Sequence, residues 1–92
     1  MTARLLLPGV LAELAGGSRT LALPSGSLQD LFTALDASYP VLGRRLRDET
    51  GAIRRYVNVY VDGVDVRGAA GMQTPVPDGA EVHVLPSVAG GA

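Results

Sequence analysis

One run of apolar residues in the middle of the chain constrains the fold more than any other feature. Its large side chains recur at the spacing of one helical face: Leu28, Leu31, Phe32 and Leu35. Ser27 is a good N-cap before this run, and Asp30 stands at the position that completes a capping box. Pro40 disfavours helical geometry in the residue before it, so the sequence predicts one helix that ends near Tyr39.

Short runs typical of β-strands lie on both sides of this helix. Residues 2–7 and 19–23 precede it, and residues 56–61 and 81–85 follow it. Alternation in the third run places three valines on one face, where we expect the helix to cover them: Val57, Val59 and Val61. This order of elements in 92 residues predicts a single α+β domain, a mixed four- to five-stranded sheet packed on one main helix.

Turns and short helical pieces separate these elements. Residues 24–26 and Asp62-Gly63 read as turns, and residues 74–79 read as a loop that ends in a turn. Apolar spacing predicts short helical pieces near residues 10–14 and 41–46.

Composition excludes several kinds of chemistry. The chain has no Cys, which rules out disulfides, thiolate catalysis and Cys-ligated metal. A net charge of −1 gives no overall attraction to nucleic acid or to an acidic membrane. His83 is the single His and is expected to face outward without a metal or catalytic role. No apolar run approaches the roughly 20 residues of a membrane span, so we expect a cytoplasmic protein with no membrane or nucleic-acid partner.

The last seven residues differ from the rest of the chain. Residues 86–92 carry no charged side chain and no side chain larger than that of Val. Such a segment has little apolar surface with which to pack, but it is thin enough to enter a narrow channel in another protein. We expect residues 1–85 to form the domain and residues 86–92 to form a flexible C-terminal tail.

Four segments resemble, in their order and spacing, the ubiquitin-like sulfur carriers: residues 28–40, 54–63, 74–82 and 85–91. They look like that family's helix with its closing Tyr-Pro, its Asn-Val strand and turn, its Asp-Gly turn and its diglycine end. The family includes the small subunit of molybdopterin synthase and the sulfur carriers of thiamine and cysteine biosynthesis. The resemblance extends from Leu5 to Gly91 and implies the β-grasp fold, which ubiquitin shares.

The resemblance implies that a C-terminal glycine carboxylate is the working group. An E1-like partner enzyme would adenylate Gly91 with ATP, and sulfur from a donor would then replace AMP to give a thiocarboxylate. Gly90, Ala89 and Val88 would thread into that enzyme, because glycine lacks a Cβ and lets the backbone pass a constriction. The chain would be a protein co-substrate and not an enzyme, would bind no cofactor or metal itself, and would pass its sulfur to a sulfur-accepting synthase.

The sequence departs from the family pattern after the diglycine. Ala92 follows Gly91, so the Gly91 carbonyl is an amide and not a carboxylate. We expect a metal-dependent peptidase to remove Ala92 before activation, which resembles some pathways in this family. Two alternatives stay open: Ala92 itself is the activated terminus, or Ala92 is a residue added to the natural chain.

Three residues near the tail form the predicted docking patch for the activating enzyme: Tyr60, Leu85 and Pro86. The alternative is that they are ordinary half-exposed strand residues. Five clustered arginines are expected to lie on a solvated helix face and loop, not on a surface for RNA or an acidic partner: Arg44, Arg45, Arg47, Arg54 and Arg55. Asp62 and Asp65 flank a turn and are expected to stabilise it.

Other functions stay open at this point. The chain is alternatively a ubiquitin-like modifier whose terminus is joined to amines of other proteins, the non-catalytic small subunit of a synthase, or an interaction module with an inert tail. The sulfur acceptor is also open, since cysteine, molybdopterin, thiamine, thiolated tRNA and natural-product pathways all use such carriers.

Overall fold

The structure, a computed structural model, describes residues 1–86. The helices and strands follow in this order: β1 (Thr2–Leu6), α1 (Gly9–Ala12), β2 (Thr20–Pro24), β3 (Gly26–Ser27), α2 (Leu28–Ser38), α3 (Pro40–Leu46), β4 (Val57–Val61), β5 (Val64–Asp65), β6 (Pro75–Val76) and β7 (Glu81–Pro86). Short 3₁₀ turns follow α1 and precede β6. In this part of the chain, no helix has the length and apolar character needed to cross a membrane.

Five strands form one mixed sheet in the order β2-β1-β7-β4-β5. β1 and β7 run parallel, while the β1–β2, β4–β7 and β4–β5 pairs are antiparallel. The C-terminal strand therefore lies in the centre of the sheet, and the main helix α2 connects the two halves. The predicted α+β class, with a five-stranded mixed sheet and one main helix, is confirmed.

The main helix begins and ends where the sequence predicts. The Ser27 hydroxyl accepts a hydrogen bond from the Asp30 backbone N–H at 3.1 Å, and an Asp30 carboxylate oxygen accepts one from the Ser27 N–H at 3.2 Å. This reciprocal pair is the predicted capping box, which satisfies two N–H groups that the first turn leaves unpaired. Tyr39 is the C-cap, directly before Pro40.

The apolar stripe of α2 packs against one face of the sheet. All four stripe residues are fully buried: Leu28, Leu31, Phe32 and Leu35. The opposing strand residues are buried as well: Val57, Val59, Val61, Val82 and Val84. Since full burial of one such side chain is worth about 1.5–3 kcal/mol, this layer is the main source of stability.

Two short strands were missed by the sequence prediction. Residues 24–26 were expected to form a turn, but Pro24 ends β2, and Gly26–Ser27 pairs with Pro75–Val76 as a separate two-stranded sheet. A two-residue strand has no detectable alternation, so its pairing is set by the tertiary packing. Pro24 is compatible with β2 because β2 lies at the edge of the sheet.

Arg47 differs from the predicted solvated position. Its side chain is only 7% exposed, its guanidinium lies 5.2 Å from the Phe32 ring centre, and its Nη2 lies 2.6 Å from an Asp36 carboxylate oxygen. Gly43 explains this placement, because a Cβ at that position would lie 1.9 Å from the Asp36 carboxylate. Because Gly43 has no side chain, α2 and α3 approach closely enough for the Arg47 guanidinium to lie over the face of the Phe32 ring.

We predict that Gly43→Ala destabilises the protein. The new methyl group displaces the Asp36 carboxylate from Arg47, and overpacking of this kind costs about 1–3 kcal/mol. The free energy of unfolding from urea denaturation measures the effect. Gly68→Ala is the control, since a Cβ at Gly68 meets no atom within 4 Å. Equal stability of the two variants would contradict the packing role of Gly43.

Candidate functional site

The C-terminal strand holds the start of the predicted tail in the middle of the sheet. β7 pairs with β1 on one side and with β4 on the other, and Pro86 is still paired with Val57. The strand therefore includes Pro86, which the sequence analysis assigned to the tail. Residues 87–92 continue the chain directly from this central strand.

The outward face of the sheet forms a shallow pocket beside this strand. Tyr60 lies directly opposite His83 in the β4–β7 pairing, and Leu85 lies opposite Asn58. Tyr60, Gly63, His83 and Leu85 line a pocket of about 300 Å³, which we call the exit pocket. Leu85 is 47% exposed, a large share for an apolar side chain in a central strand. Apolar surface of this kind commonly contacts another molecule.

The structure thus brings together the predicted docking residues. Tyr60 and Leu85 line the same pocket, and Pro86 is exposed at the end of the same strand. His83 and Gly63 also line the pocket, and the sequence analysis did not select them. Alternation placed His83 outward, but its position opposite Tyr60 depends on the strand register, which the sequence does not specify. The docking role of these residues stays a prediction.

A charged row borders the exit pocket. Glu81 forms a salt bridge with Arg4 on β1, and its other carboxylate oxygen lies 3.6 Å from Nε2 of His83. The Arg4 and Glu81 side chains are 57% and 41% exposed, so solvent screens their ion pair and it contributes little to stability. Within residues 1–86, no group of three or more His, Cys, Asp and Glu side chains is arranged to hold a metal ion.

The turn at Asp62-Gly63 anchors the start of the C-terminal strand. Asp62 and Gly63 have φ angles of 48° and 86°, the positive values that a tight type I′ hairpin turn requires at both positions. One Asp62 carboxylate oxygen accepts a hydrogen bond from the Glu81 N–H at 2.9 Å, and the Asp62 N–H donates to the Glu81 carbonyl at 2.9 Å. The predicted role of Asp62 in the turn is confirmed.

Asp65, the second carboxylate of this turn, also has a structural role. Its side chain accepts a hydrogen bond from the Arg67 N–H at 2.9 Å and caps the following 3₁₀ turn. The Arg67 guanidinium then donates to Asn58 on the outward face of β4 at 3.0 Å. Asp65 is therefore engaged locally, whereas the Asp62 carboxylate bonds the start of β7 across 19 residues.

The predicted reactive segment lies outside the described residues. This applies to Val88, Ala89, Gly90, Gly91 and Ala92. Their roles in threading, activation and cleavage stay predictions that follow from the resemblance and from the chemistry of the residues.

A mixed sheet around one main helix, with the C-terminal strand in its centre, defines the β-grasp or ubiquitin-like class of protein. Comparison with known proteins is more specific. The model of the ThiS family matches residues 5–91, the same span as the resemblance noted in the sequence. The chain belongs to the ThiS family of ubiquitin-like sulfur carriers.

Individual relatives agree with this assignment. The sulfur carrier protein CysO of Mycobacterium tuberculosis is 34% identical over 93 residues, which cover 99% of this chain and 100% of the relative. A chain of the Amycolatopsis orientalis BexX/CysO complex superimposes with a TM-score of 0.88 at 28% identity, covering 97% of this chain and 99% of that chain. SAMP1 from Haloferax volcanii superimposes with a TM-score of 0.80 at 28% identity, covering 99% and 100%.

We predict that Asp62→Ala lowers stability while Asp62→Asn changes it little. The Ala variant has no acceptor for the Glu81 N–H, and Ala is strained at a φ of 48°. Together these effects lower the free energy of unfolding by about 1–3 kcal/mol. Asn keeps an oxygen acceptor and tolerates this backbone conformation, so a change within about 0.5 kcal/mol is expected. Urea denaturation of both variants tests the anchor, and an Asn variant as unstable as the Ala variant would refute it.

Proposed function

We propose that this protein is a sulfur carrier that works through the carboxylate of Gly91. The observation that carries the proposal is the family match, which spans residues 5–91 and so ends at Gly91. The central position of β7 supports it, since the strand that leads to Gly91 is hydrogen bonded on both sides. The segment that ends in Gly91 would then be attached to a strand that the sheet holds on both sides.

The chemistry takes place in a partner enzyme. The Gly91 carboxylate attacks the α-phosphorus of ATP, and pyrophosphate leaves to give an acyl-adenylate. Hydrosulfide then attacks the acyl carbon, and AMP leaves to give a thiocarboxylate. In this proposal the protein is the substrate of both steps and not the catalyst, and the activating enzyme binds ATP and the sulfur donor. The thiocarboxylate then donates its sulfur to a biosynthetic enzyme, the sulfur-accepting synthase.

Docking and reaction are assigned to different parts of the chain. The exit pocket and Pro86 bind the E1-like adenylating enzyme, while the residues after Pro86 extend into its active site. An extended chain gains about 3.3–3.6 Å for each residue, so Gly91 reaches up to about 18 Å from Pro86. The absent side chains of Gly90 and Gly91 leave the acyl carbon accessible to the incoming nucleophile.

Ala92 blocks this chemistry while it is attached. An amide carbonyl has no free oxygen nucleophile with which to attack ATP, so Gly91 needs hydrolysis of its bond to Ala92 before activation. We assign this step to a metal-dependent peptidase of the same cells. The cut converts the amide into a carboxylate at Gly91 and releases free alanine.

The relatives support this proposal and suggest the setting. Two of them are named CysO, and one of these is named as part of a complex with BexX. This chain would similarly act with a protein partner, in the cytoplasm, where ATP is available. Its sulfur acceptor belongs to cysteine, cofactor, tRNA or natural-product biosynthesis.

Conjugation to other proteins is the second candidate function. Its support is the likeness to small archaeal modifier proteins over almost the whole chain. The same acyl-adenylate would then be attacked by an amine instead of a sulfur nucleophile. Since the chain contains no Lys, it offers no lysine for chains of linked copies. A modifier gives covalent adducts on other proteins, whereas a carrier gives a thiocarboxylate.

We predict that a chain ending at Gly91 is activated and the chain ending at Ala92 is not. Each form is incubated with the adenylating enzyme of its own organism, ATP and sulfide, and the intact mass is measured. The form ending at Gly91 gains one sulfur for one oxygen. A form that ends at Ala89 is the control and stays unchanged, and sulfur gain by that control would overturn the role of the diglycine.

We also predict that Leu85→Ala weakens activation without loss of stability. Leu85 is half exposed, so its truncation leaves the core intact but removes contact area from the docking surface. Loss of an interface contact worth about 1–2 kcal/mol raises KM for the adenylating enzyme about 5- to 30-fold. Val10→Ala is the matched control, because Val10 is 65% exposed and lies on α1, outside the outward face of the sheet. Equal KM values for the two variants would contradict the docking assignment.

A further inference from the structure

A second surface on the domain carries a cluster of three arginines. Val41, Arg44 and Arg45 lie on one face of α3 at the helical spacing i, i+3 and i+4. The opposite face of α3 is buried in the core, which forces these three side chains outward. Together with Arg54 and Tyr56 they line a groove of about 370 Å³, which we call the arginine groove.

The backbone holds the arginine groove in place. Nε of Arg54 donates a hydrogen bond to the Arg44 carbonyl at 2.8 Å, which ties the strand side of the groove to the end of α3. Nη2 of Arg67 donates to the Arg54 carbonyl at 2.8 Å from the other side. These two hydrogen bonds to backbone carbonyls fix the position of Arg54 in the folded domain.

No arginine of the groove forms a salt bridge among residues 1–86, although the charge of Arg54 acts on the nearby Asp48 carboxylate. Arg4 and Arg47 have carboxylate partners, whereas Arg44, Arg45 and Arg54 form no salt bridge with a carboxylate of residues 1–86. The nearby Asp48 carboxylate is engaged elsewhere, since it accepts hydrogen bonds from the Thr50 hydroxyl and from the backbone N–H groups of Thr50 and Ala52. The Thr50 hydroxyl bond is the main cause that lowers the Asp48 pKa, and the charge of Arg54 lowers it further.

The groove lies beside the point where the C-terminal segment leaves the sheet. Tyr56 directly precedes Val57, and Val57 is paired with Pro86 at the end of β7. Tyr56 is also 46% exposed, so its ring is available to a second molecule. A protein that receives the C-terminal segment has to approach this end of the sheet, and it would cover the groove when it does.

We propose that the arginine groove binds an acidic segment of the partner protein that receives the C-terminal segment. Guanidinium groups bind carboxylates through paired hydrogen bonds, and the Tyr56 hydroxyl offers a further donor. Val41 and Tyr56 supply apolar contact around the charges. The identity of the partner rests on the proposed function, whereas the preference for acidic peptide rests on the groove alone.

An acidic peptide suits the groove better than a nucleic acid. Affinity for nucleic acid comes largely from the phosphates that a protein neutralises with Lys and Arg, and this groove offers only three arginines. The chain as a whole has a net charge of −1, which gives no long-range attraction to a polyanion. Three clustered guanidinium groups match a short run of Asp or Glu side chains.

The test is an NMR titration of the ¹⁵N-labelled full chain with a hexaglutamate peptide at low salt. We expect backbone amide shifts at the five groove residues, which disappear at about 0.5 M NaCl because salt screens exposed charges. Arg45→Gln and Arg44→Gln each weaken binding by about 1.4- to 5-fold, the range of exposed ion pairs. Arg19→Gln removes the same charge from an exposed site between α1 and β2, outside the groove, and is expected to leave binding unchanged.

Three results would overturn the inference. These are the absence of peptide-induced shifts at low salt, equal weakening by Arg19→Gln, and binding of a hexameric oligothymidylate to the same amides at least as strongly as the peptide. The titration contains no activating enzyme and no ATP, so its outcome does not depend on the sulfur carrier function. The spectrum of each variant also reports whether that variant is folded.

Discussion

The pairing of the C-terminal strand between β1 and β4 is the constraint on which the rest of the structure depends. β7 is the last strand of residues 1–86 in chain order, yet it fills the centre of the sheet and joins its two halves. Without it, β1 and β2 have no connection through the sheet to β4 and β5, and the apolar stripe of α2 loses Val82 and Val84. The residues that follow Pro86 are thereby attached to one of the most constrained positions in the domain.

The alternation of β7 assigns its two faces to different tasks. Val82 and Val84 point into the core under α2, while His83 and Leu85 point outward beside Tyr60. No helix among residues 1–86 covers this outward face, so it is available to a partner, and the residues that lead to Gly91 begin beside it. The domain therefore presents an outward face that no helix of residues 1–86 covers, beside the point where the residues that lead to Gly91 begin.

Much of the fold follows from local signals in the sequence. The stripe of α2, its capping box and Pro40 predict the helix and both its ends, because each signal acts within a few residues. The valines of β4 predict their buried face for the same reason. In contrast, the pairing of Gly26–Ser27 with Pro75–Val76 joins segments that are far apart in the chain and too short for alternation, so tertiary packing alone determines it.

The site was predictable in part. Alternation identifies Tyr60 and Leu85 as outward residues, but the register that places Tyr60 opposite His83 is a property of the assembled sheet. Arg47 shows the same limit in the core. Its charge suggested solvent exposure, whereas the space left by Gly43 allows it to pair with Asp36 and lie across Phe32. The predicted reactive role of Gly91 comes from the resemblance to a family, because a diglycine by itself does not specify a function.

The most direct measurement is the intact mass of the protein isolated from its own cells. The account predicts a population that ends at Gly91 and carries one sulfur in place of one oxygen at its terminus. Treatment with a reagent that alkylates thiocarboxylates would shift this population, since the chain contains no Cys to compete. A protein that carries no sulfur in cells that produce its activating enzyme would contradict the account.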